Sequence, residues 1–374
     1  MSSRNLILAI ATAAVIVAAW RISQETAPTT EIASSRLYPE LIEHVNDVQR
    51  VTVETTQTNT ELEKVEGGWV VANRDRFPAE FPTIKNVLLN LAELTIVEKK
   101  TSKPENYEKL AVGGVDDEDS KSLLIRVDAR DGVELASLII GNKRTGSQLD
   151  SPTYYVRKSD AMSALLVQGD LNINADPQKW INAEVVNIAT ERVRKVTINR
   201  NQDTPIVISK EKHGENFFDL QAIPTGFAAK SRSVVSSLGA LLLDVKFQDV
   251  AAAGKVEDTL PRAIVEIQTF DGLVATLEQI DFEENVYVRF RFEFNPGIVV
   301  PVEVETDESG GENDAGETES SPSTADEVEE LNARVADWVY VLPDYKVRML
   351  DKRFDDMIKP AEPPAENAEE IKTE

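Results

Sequence analysis

The chain has 374 residues, 41% of them hydrophobic, and a formal net charge of −25. Because it contains no cysteine, disulfides, thiolate metal sites and thiol nucleophiles are excluded. The acidic balance repels nucleic acid phosphate and anionic lipid headgroups, so we do not expect nucleic acid binding.

An apolar run from Leu6 to Trp20 follows a short leader that contains Arg4. This pattern predicts an uncleaved N-terminal membrane anchor over residues 1–22, with the body on the periplasmic side of the inner (cytoplasmic) membrane. A cleaved signal peptide is the alternative, because the small residues Val17-Ala18-Ala19 are able to attract a peptidase. We expect a linker over residues 23–46.

The body contains an internal repeat. Val51 and Val53 reappear as Val196 and Ile198. Four further matches follow in the same order: Phe77-Pro78 with Ile223-Pro224, Val87, Leu91 and Leu94 with Val234, Leu238 and Leu241, Asp131-Gly132 with Asp271-Gly272, and Tyr155-Val156-Arg157 with Tyr287-Val288-Arg289. The ordered set predicts two copies of one unit, over residues 47–190 and 191–358.

Each copy is predicted to follow the order β-β-α-β-β-β. In the first copy, alternating valines and then Gly68–Val71 predict strands, and Thr83 is the expected N-cap of a helix. Asp131-Gly132 is able to close a hairpin. In the second copy, the helix is expected over about 228–243. The predicted fold class is therefore α+β, with an N-terminal single-span helix followed by two tandem repeats with mainly antiparallel sheets.

Two acidic segments hold most of the net charge. Residues 303–330 contain 12 acids and no base, and residues 359–374 contain five acids against two lysines. The first segment has no aromatic residue, so we expect a disordered insertion over about 304–325 and a disordered tail over 359–374. Helical order is expected to resume at a capping box, Thr324-x-x-Glu327.

An ordered set of motifs resembles a bacterial envelope family known as domain of unknown function 4340. The set consists of the N-terminal anchor, Gly67-Gly68-Trp69, Leu138-Ile139-Ile140-Gly141, Tyr155-Val156-Arg157 and Trp338-Val339-Tyr340-x-Leu342-Pro343-x-Tyr345. The resemblance implies a membrane-anchored extracytoplasmic protein that accompanies gliding-motility-type ABC transporters as an auxiliary component. It supplies no catalytic residue. The acidic insertion and Gly113-Gly114 depart from the family pattern.

Acidic and histidine side chains are the first group of candidates for a metal or catalytic site. Asp116 to Ser120 is the densest acidic cluster of the body, and oxygen ligands at this spacing are able to hold calcium. The cluster lacks the alternating layout of a calcium loop, which favours a solvated turn. His44 and His213 are far apart in sequence, so a shared metal site or a histidine triad is not expected. We assign no catalytic, cofactor-binding or metal-ligating residue, and we expect no cofactor.

Aromatic and arginine side chains are the second group of candidates. Tyr154, Tyr155 and Tyr287, with Arg157 and Arg289, have the chemistry of a sugar-stacking or carboxylate-binding face. Because they occur in both copies, the pattern favours a recurring packing feature of one strand. Trp69, Trp180 and Trp338 lie in apolar stretches and are expected to be core residues.

The sequence favours a non-enzymatic, membrane-anchored periplasmic interaction protein that is an accessory component of an ABC transport complex. The expected partners are the membrane and the ABC transporter subunits. A glycan- or cell-wall-binding envelope module that uses the Tyr and Arg strands is the alternative. A hydrolase with paired carboxylates is a third interpretation, and it requires two acids that face each other in a cleft.

Overall fold

The computed structural model describes residues 35–145, 151–300 and 323–361. These residues form two compact units. Unit 1 comprises residues 35–70 and 80–179, and unit 2 comprises residues 71–79 and 180–361. The chain therefore leaves unit 1 at Val70, contributes one short segment to unit 2, and returns to unit 1 at Glu80.

The first sheet has nine strands. They are β1 (Val48–Glu54), β2 (Asn59–Val65), β3 (Gly68–Val71), β4 (Phe77–Pro78), β5 (Thr95–Thr101), β6 (Leu123–Ala129), β7 (Glu134–Arg144), β8 (Thr153–Lys158) and β9 (Ala164–Gln168). Their order in the sheet is β4-β3-β2-β1-β6-β7-β8-β9-β5. In the part of this order that runs β2-β1-β6-β7-β8-β9-β5, each strand pairs antiparallel with the next one.

Alternation and turn chemistry explain the start of this sheet. Val51 and Val53 of β1 are buried, and the residues between and after them are partly exposed, as expected for a strand with one face on the core. Gly67 and Gly68 have φ angles of 95° and 152° and form the β2–β3 turn, where a side chain would be strained. The predicted Asp131 hairpin is confirmed, because β6 and β7 pair antiparallel around it.

Three α-helices belong to unit 1: α1 (Leu41–His44), α2 (Phe81–Glu93) and α3 (Tyr107–Leu110). Helix α2 buries Ile84, Val87 and Leu91 at helical spacing. It begins after Glu80 and carries a proline in its first turn. The predicted N-cap Thr83 is therefore wrong, since this residue lies inside the first turn. Short 3-10 helices cover Val45–Asp47, Pro104–Asn106, Arg130–Gly132 and Pro177–Trp180.

The second sheet has eight strands. They are β11 (Val193–Arg200), β12 (Ile206–Ser209), β13 (Asp219–Leu220), β16 (Asp249–Ala252), β17 (Ala263–Thr269), β18 (Leu273–Phe282), β19 (Asn285–Phe294) and β20 (Trp338–Val341). Their order is β13-β12-β11-β17-β18-β19-β20-β16. Two small sheets join β10 (Glu184–Val186) to β15 (Val245–Lys246) and β14 (Phe227–Ala229) to β21 (Ile358–Pro360).

The two large sheets share one strand plan. The order β3-β2-β1-β6-β7-β8-β9-β5 in the first corresponds strand for strand to the order of the second. A bulge between Val48 and Arg50 in the β1–β6 pair recurs between Val193 and Lys195 in the β11–β17 pair. An irregularity of this kind at the same place argues that both sheets descend from one unit, because bulges are specific features rather than random defects.

Unit 2 contains the helices α4 (Arg232–Ser236), α5 (Thr324–Val335) and α6 (Asp344–Leu350), with 3-10 helices at Ser237–Ala240, Ala253–Val256, Pro296–Ile298 and Phe354–Asp356. The helix expected over 228–243 is thus much shorter. Ser236 Oγ accepts a hydrogen bond from Phe218 N, and Ser237 Oγ donates to Val234 O. Serines that bind nearby backbone in this way compete with regular helix.

The predicted fold class is wrong. Among the described residues, 39% are in strands and 24% in helices, and the helices are short. The chain is therefore mainly β rather than α+β. The predicted β-β-α-β-β-β repeat also omitted three strands in each large sheet. These are the second strand, β2 or β12, the strand after the helix, β5 or β16, and the last strand, β9 or β20.

No helix among the described residues is long and apolar enough to cross a membrane. The longest, α2, has 13 residues, whereas a span needs about 20. This finding corrects the predicted transmembrane helix and the single-pass inner-membrane location that was based on it. The run from Leu6 to Trp20, which suggested the anchor, lies outside the described residues.

Most of the predicted insertion (about 304–325) and most of the predicted disordered tail (359–374) lie outside the described residues. In the tail, residues 359–361 are described, and Lys359 and Pro360 belong to β21, so the prediction of disorder is wrong for them. Of the predicted insertion, only residues 323–325 are described, and they begin α5. The N-cap of α5 is Ser323, whose side chain forms a capping box with Asp326. The predicted cap at Thr324 with Glu327 is therefore wrong by one residue.

Candidate functional site

Arg157 of β8 is used within unit 1. Its Nε donates to Val112 O at 2.9 Å and its Nη1 to Ala161 O at 3.1 Å. The guanidinium also lies over the ring of Tyr107, 4.9 Å from the ring centroid. Tyr155 packs beside them against a buried cluster. All of these partners of Arg157 lie in unit 1, the unit to which Arg157 itself belongs.

Arg289 of β19 has the corresponding role in unit 2. Its Nη1 donates to Glu278 Oε2 at 3.1 Å and its Nη2 to Val256 O at 3.5 Å. Tyr287 is buried in a cluster that includes Val256 and Val339. In each unit the arginine therefore binds the carbonyl of a buried valine that follows the sheet-edge strand. This use favours packing over a ligand-binding face for Tyr155, Arg157, Tyr287 and Arg289.

The acidic cluster from Asp116 to Ser120 does not form a metal site in the part of the chain that the structure describes. No group of three His, Cys, Asp or Glu side chains in the described residues has the geometry to hold a metal ion. Asp117 and Asp119 line a cavity of about 610 Å³ together with Tyr107, Ser120 and Asn142. Ser120 N donates to Asp117 O at 2.8 Å, as in a tight turn.

The two histidines have different local roles. His44 Nδ1 lies 2.9 Å from Asp47 Oδ2 at the end of α1. This hydrogen bond raises the pKa of His44 above its usual value. His213 lies edge-on to Phe270, with ring centroids 5.5 Å apart. No serine or threonine lines the cavity beside His44 among the described residues, so this pair has no hydroxyl nucleophile next to it.

The three tryptophans that were predicted from the sequence to be core residues are packed within their units. Trp69 and Trp180 are buried. Trp338 is half-buried and meets the ring of Phe77 edge-on at 4.7 Å. Phe77 belongs to the segment 71–79 that unit 2 contains, and it also contacts Phe247. The contacts of Phe77 with Trp338 and Phe247 stabilise unit 2 by aromatic packing.

An apolar groove on unit 1 was not expected from the sequence. It has a volume of about 760 Å³. Its walls are α1 with the following turn, the β2–β3 hairpin and α2, which contribute Ile42, Val45, Lys64, Val65, Trp69, Phe81, Lys85, Leu88 and Leu89. We call it the Phe81 groove. Phe81 is 54% exposed and Ile42 is 36% exposed, so apolar surface lies open to solvent here.

The only charged side chains among the described residues that line the Phe81 groove are Lys64 and Lys85. Lys64 Nζ donates to Asn46 O at 3.3 Å and holds the hairpin to the turn after α1. Lys85 is exposed on α2. In a chain with a net charge of −25, this groove is a locally cationic and apolar surface.

A family model described as Domain of unknown function (DUF4340) matches residues 69–263, just over half of the chain. The chain belongs to this family. A comparison with curated proteins finds no match, and a comparison with solved structures finds none. The DUF4340 match begins at Trp69 in the Phe81 groove and includes all of α2.

The motifs by which the chain resembles DUF4340 have structural explanations. Gly141 allows the backbone at Ala111 to approach β7, because an added Cβ would lie 2.6 Å from Ala111 O. Tyr340 is buried, and its hydroxyl donates to Arg334 O at 3.4 Å. Pro343 is the N-cap of α6. Tyr345 is 50% exposed, more than the other aromatic residues of that last motif.

One sequence signal could have indicated the Phe81 groove. Phe81, Lys85, Leu88 and Leu89 lie along a face of α2 next to the buried stripe of Ile84, Val87 and Leu91. The apolar arc of the helix is therefore wider than one core-facing stripe requires. The surplus leaves apolar surface open to solvent, as the 54% exposure of Phe81 shows.

Proposed function

We propose that this protein is a non-enzymatic interaction protein that serves as an accessory component of an ABC transport complex. The observation that carries the proposal is the Phe81 groove, an open apolar surface with Phe81 54% exposed. Concave apolar surfaces of this size are where proteins receive ligands or partners. The partner class rests on the resemblance to the family rather than on the groove.

The duplicated strand plan supports a structural role for the rest of the body. Arg157 and Arg289 bind backbone carbonyls of their own units, and Lys346 is enclosed by three carbonyls of unit 2. A catalytic or binding site could have used these cationic side chains, but their hydrogen bonds hold loops and helix ends in place. The Phe81 groove, by contrast, is open to solvent and available for a partner.

Affinity purification of the tagged full chain from its native cells, in mild detergent, tests the proposal. We expect permease or ATP-binding subunits of an ABC transporter to co-purify with the parent and to be reduced at least about fivefold with Phe81→Ser. Met162→Ser is the matched control, because Met162 is 66% exposed in the same unit and outside the groove. Recovery of the parent without any transporter subunit would contradict the proposal.

A further inference from the structure

Resting on the proposed function, we propose that the Phe81 groove binds an acidic amphipathic helix of the partner protein. Such a helix carries apolar residues at i, i+3 or i+4, and i+7 on one face, with Asp or Glu on the flanks of that face. The inference names the chemistry of the partner, which the proposed function leaves open.

The apolar floor of the groove sets the first requirement. Phe81 and Ile42 are exposed in part, and Leu88 and Trp69 are buried beneath. A volume of about 760 Å³ falls within the roughly 300–1,000 Å³ of pockets that enclose ligands. It has room for several side chains in a row, which a helix presents along one face.

The backbone around the groove favours a helix over an extended peptide. An added strand needs an open sheet edge for main-chain hydrogen bonds. The groove is lined by side chains of α1, the β2–β3 hairpin and α2, and the backbone groups of α2 are bonded within that helix. The groove therefore offers side chains rather than backbone partners, and a helix satisfies its own backbone.

The turn at Gly67 and Gly68 leaves one end of the groove open. A Cβ added to either glycine would meet no atom within 4 Å. Both residues line the groove, so a bound helix is able to extend past the β2–β3 turn without a steric barrier. The binding site is thus open at this end rather than closed as for a small molecule.

Charge sets the second requirement. Lys64 and Lys85 are the charged side chains of the described lining, and Lys85 makes no ion pair with any described residue. Carboxylates on the flanks of a bound helix would meet these two ammonium groups. A basic helix would be repelled by them at close range, so the lysines select for acidic partners even on a chain with a net charge of −25.

Binding of two synthetic peptides to the full chain tests the inference. Both have about 18 residues with leucine along one helical face; one carries Glu on the flanks and the other carries Lys at the same positions. We expect the Glu peptide to bind at least about tenfold more tightly, as measured by fluorescence anisotropy at low salt, where charge selection is least screened. Equal affinity of the two peptides would overturn the inference.

A charge exchange gives the sharper test. We expect Lys64→Glu combined with Lys85→Glu to reverse the preference, so that the Lys peptide binds more tightly than the Glu peptide. Phe81→Ser should weaken both peptides about tenfold, and Met162→Ser should leave both affinities unchanged. Circular dichroism checks that each variant folds. A preference that survives the charge exchange would show that the lysines do not select the partner.

Two further outcomes separate this inference from the proposed function and from self-association. If transporter subunits co-purify with the chain but the Glu peptide does not bind, the inference fails and the proposed function stands. If the peptide binds and no transporter subunit is recovered, the proposed function fails alone. Self-association of the parent that Phe81→Ser abolishes would assign the groove to a second copy of the chain and overturn the inference.

Discussion

Gly141 occupies a position in β7 where a side chain has no room. A Cβ there would lie 2.6 Å from Ala111 O, closer still to Leu110 O, and 2.8 Å from Val112 Cγ1. Ala111 itself has a φ of 55° and ends α3 in the left-handed conformation, as helix ends often do. The glycine thus allows the end of a helix to lie directly on a strand.

We expect Gly141→Ala to destabilise unit 1 by about 3 kcal/mol or more, because the atoms in the way are backbone carbonyls that cannot rotate aside. Urea unfolding followed by circular dichroism measures the loss. Gly114→Ala is the control, since its Cβ would come no nearer than 3.9 Å to other atoms. A Gly141→Ala protein as stable as the control would show that α3 is able to move away from β7.

Lys346 of α6 is a buried cation, only 3% exposed. Its Nζ donates to Ala240 O at 2.8 Å, Leu241 O at 3.2 Å and Leu243 O at 2.7 Å. These carbonyls lie at the end of the helical segment that follows α4, where a positive charge is favourable. Burial opposes this and lowers the pKa of Lys346 to about 8.

We expect Lys346→Met to lower the free energy of unfolding by about 1–3 kcal/mol at pH 7, because three carbonyls lose their donor. The difference in unfolding free energy between the parent and Lys346→Met should widen at higher pH. An unfolded lysine has a pKa of about 10.4, so between about pH 8 and 10.4 the unfolded parent binds more protons and its stability rises with pH. Urea unfolding across this range measures both proteins, and parallel pH curves would contradict the lowered pKa.

At the scale of elements, local signals in the sequence identified turns and the longer strands. Asp131-Gly132 and Asp271-Gly272 close hairpins as predicted, with Gly132 and Gly272 at φ angles of 75° and 93°. The buried stripe of α2 was also predictable from its spacing. Each of these features depends on residues that are close together in the chain, so its cause is visible in a short window.

Elements stabilised by distant partners were not predictable in the same way. β9 (Ala164–Gln168) is a short apolar run without alternation, and its pairing with β5 joins segments about seventy residues apart. In the second copy, Phe218 packs against Gly239, where an added Cβ would lie 2.7 Å from Phe218 Cζ, and this contact joins residues about twenty positions apart. The Phe81 groove likewise combines α1, the β2–β3 hairpin and α2, and no single window contains all three.

At the scale of the whole molecule, the two units share a framework but not the groove. At the spacing that relates Val87 to Val234, the positions of Phe81, Lys85 and Leu89 correspond to Ala228, Arg232 and Ser236. Unit 2 therefore lacks the apolar side chains that widen the face of α2. Arg232 instead lies over Phe217, 5.7 Å from its ring centroid. The residues that form the sheet recur in both units, whereas the Phe81 groove is a property of unit 1.

The last whole-molecule feature is the place where the acidic segment joins unit 2. Val300 N donates to Phe270 O at 2.8 Å, and Thr324 Oγ1 lies 3.5 Å from Asp271 Oδ2. Arg192 binds both Asp271 and Glu327, with closest distances of 2.7 Å. The described residues on either side of 301–322, Val300 and Thr324, thus both contact the β17–β18 turn, so we expect that a short connection is able to join them.

We therefore expect a chain in which a Gly/Ser bridge of about six residues replaces 301–322 to fold normally and to melt within a few degrees of the parent. Loop closure depends weakly on length, so the change should be about 1 kcal/mol or less. The deletion removes eight acids and no base and changes the formal charge from −25 to −17. A full-length variant with those acids changed to Asn and Gln separates charge from length. Calorimetric loss of the unit 2 transition in the deletion alone would mean that the segment is part of its core.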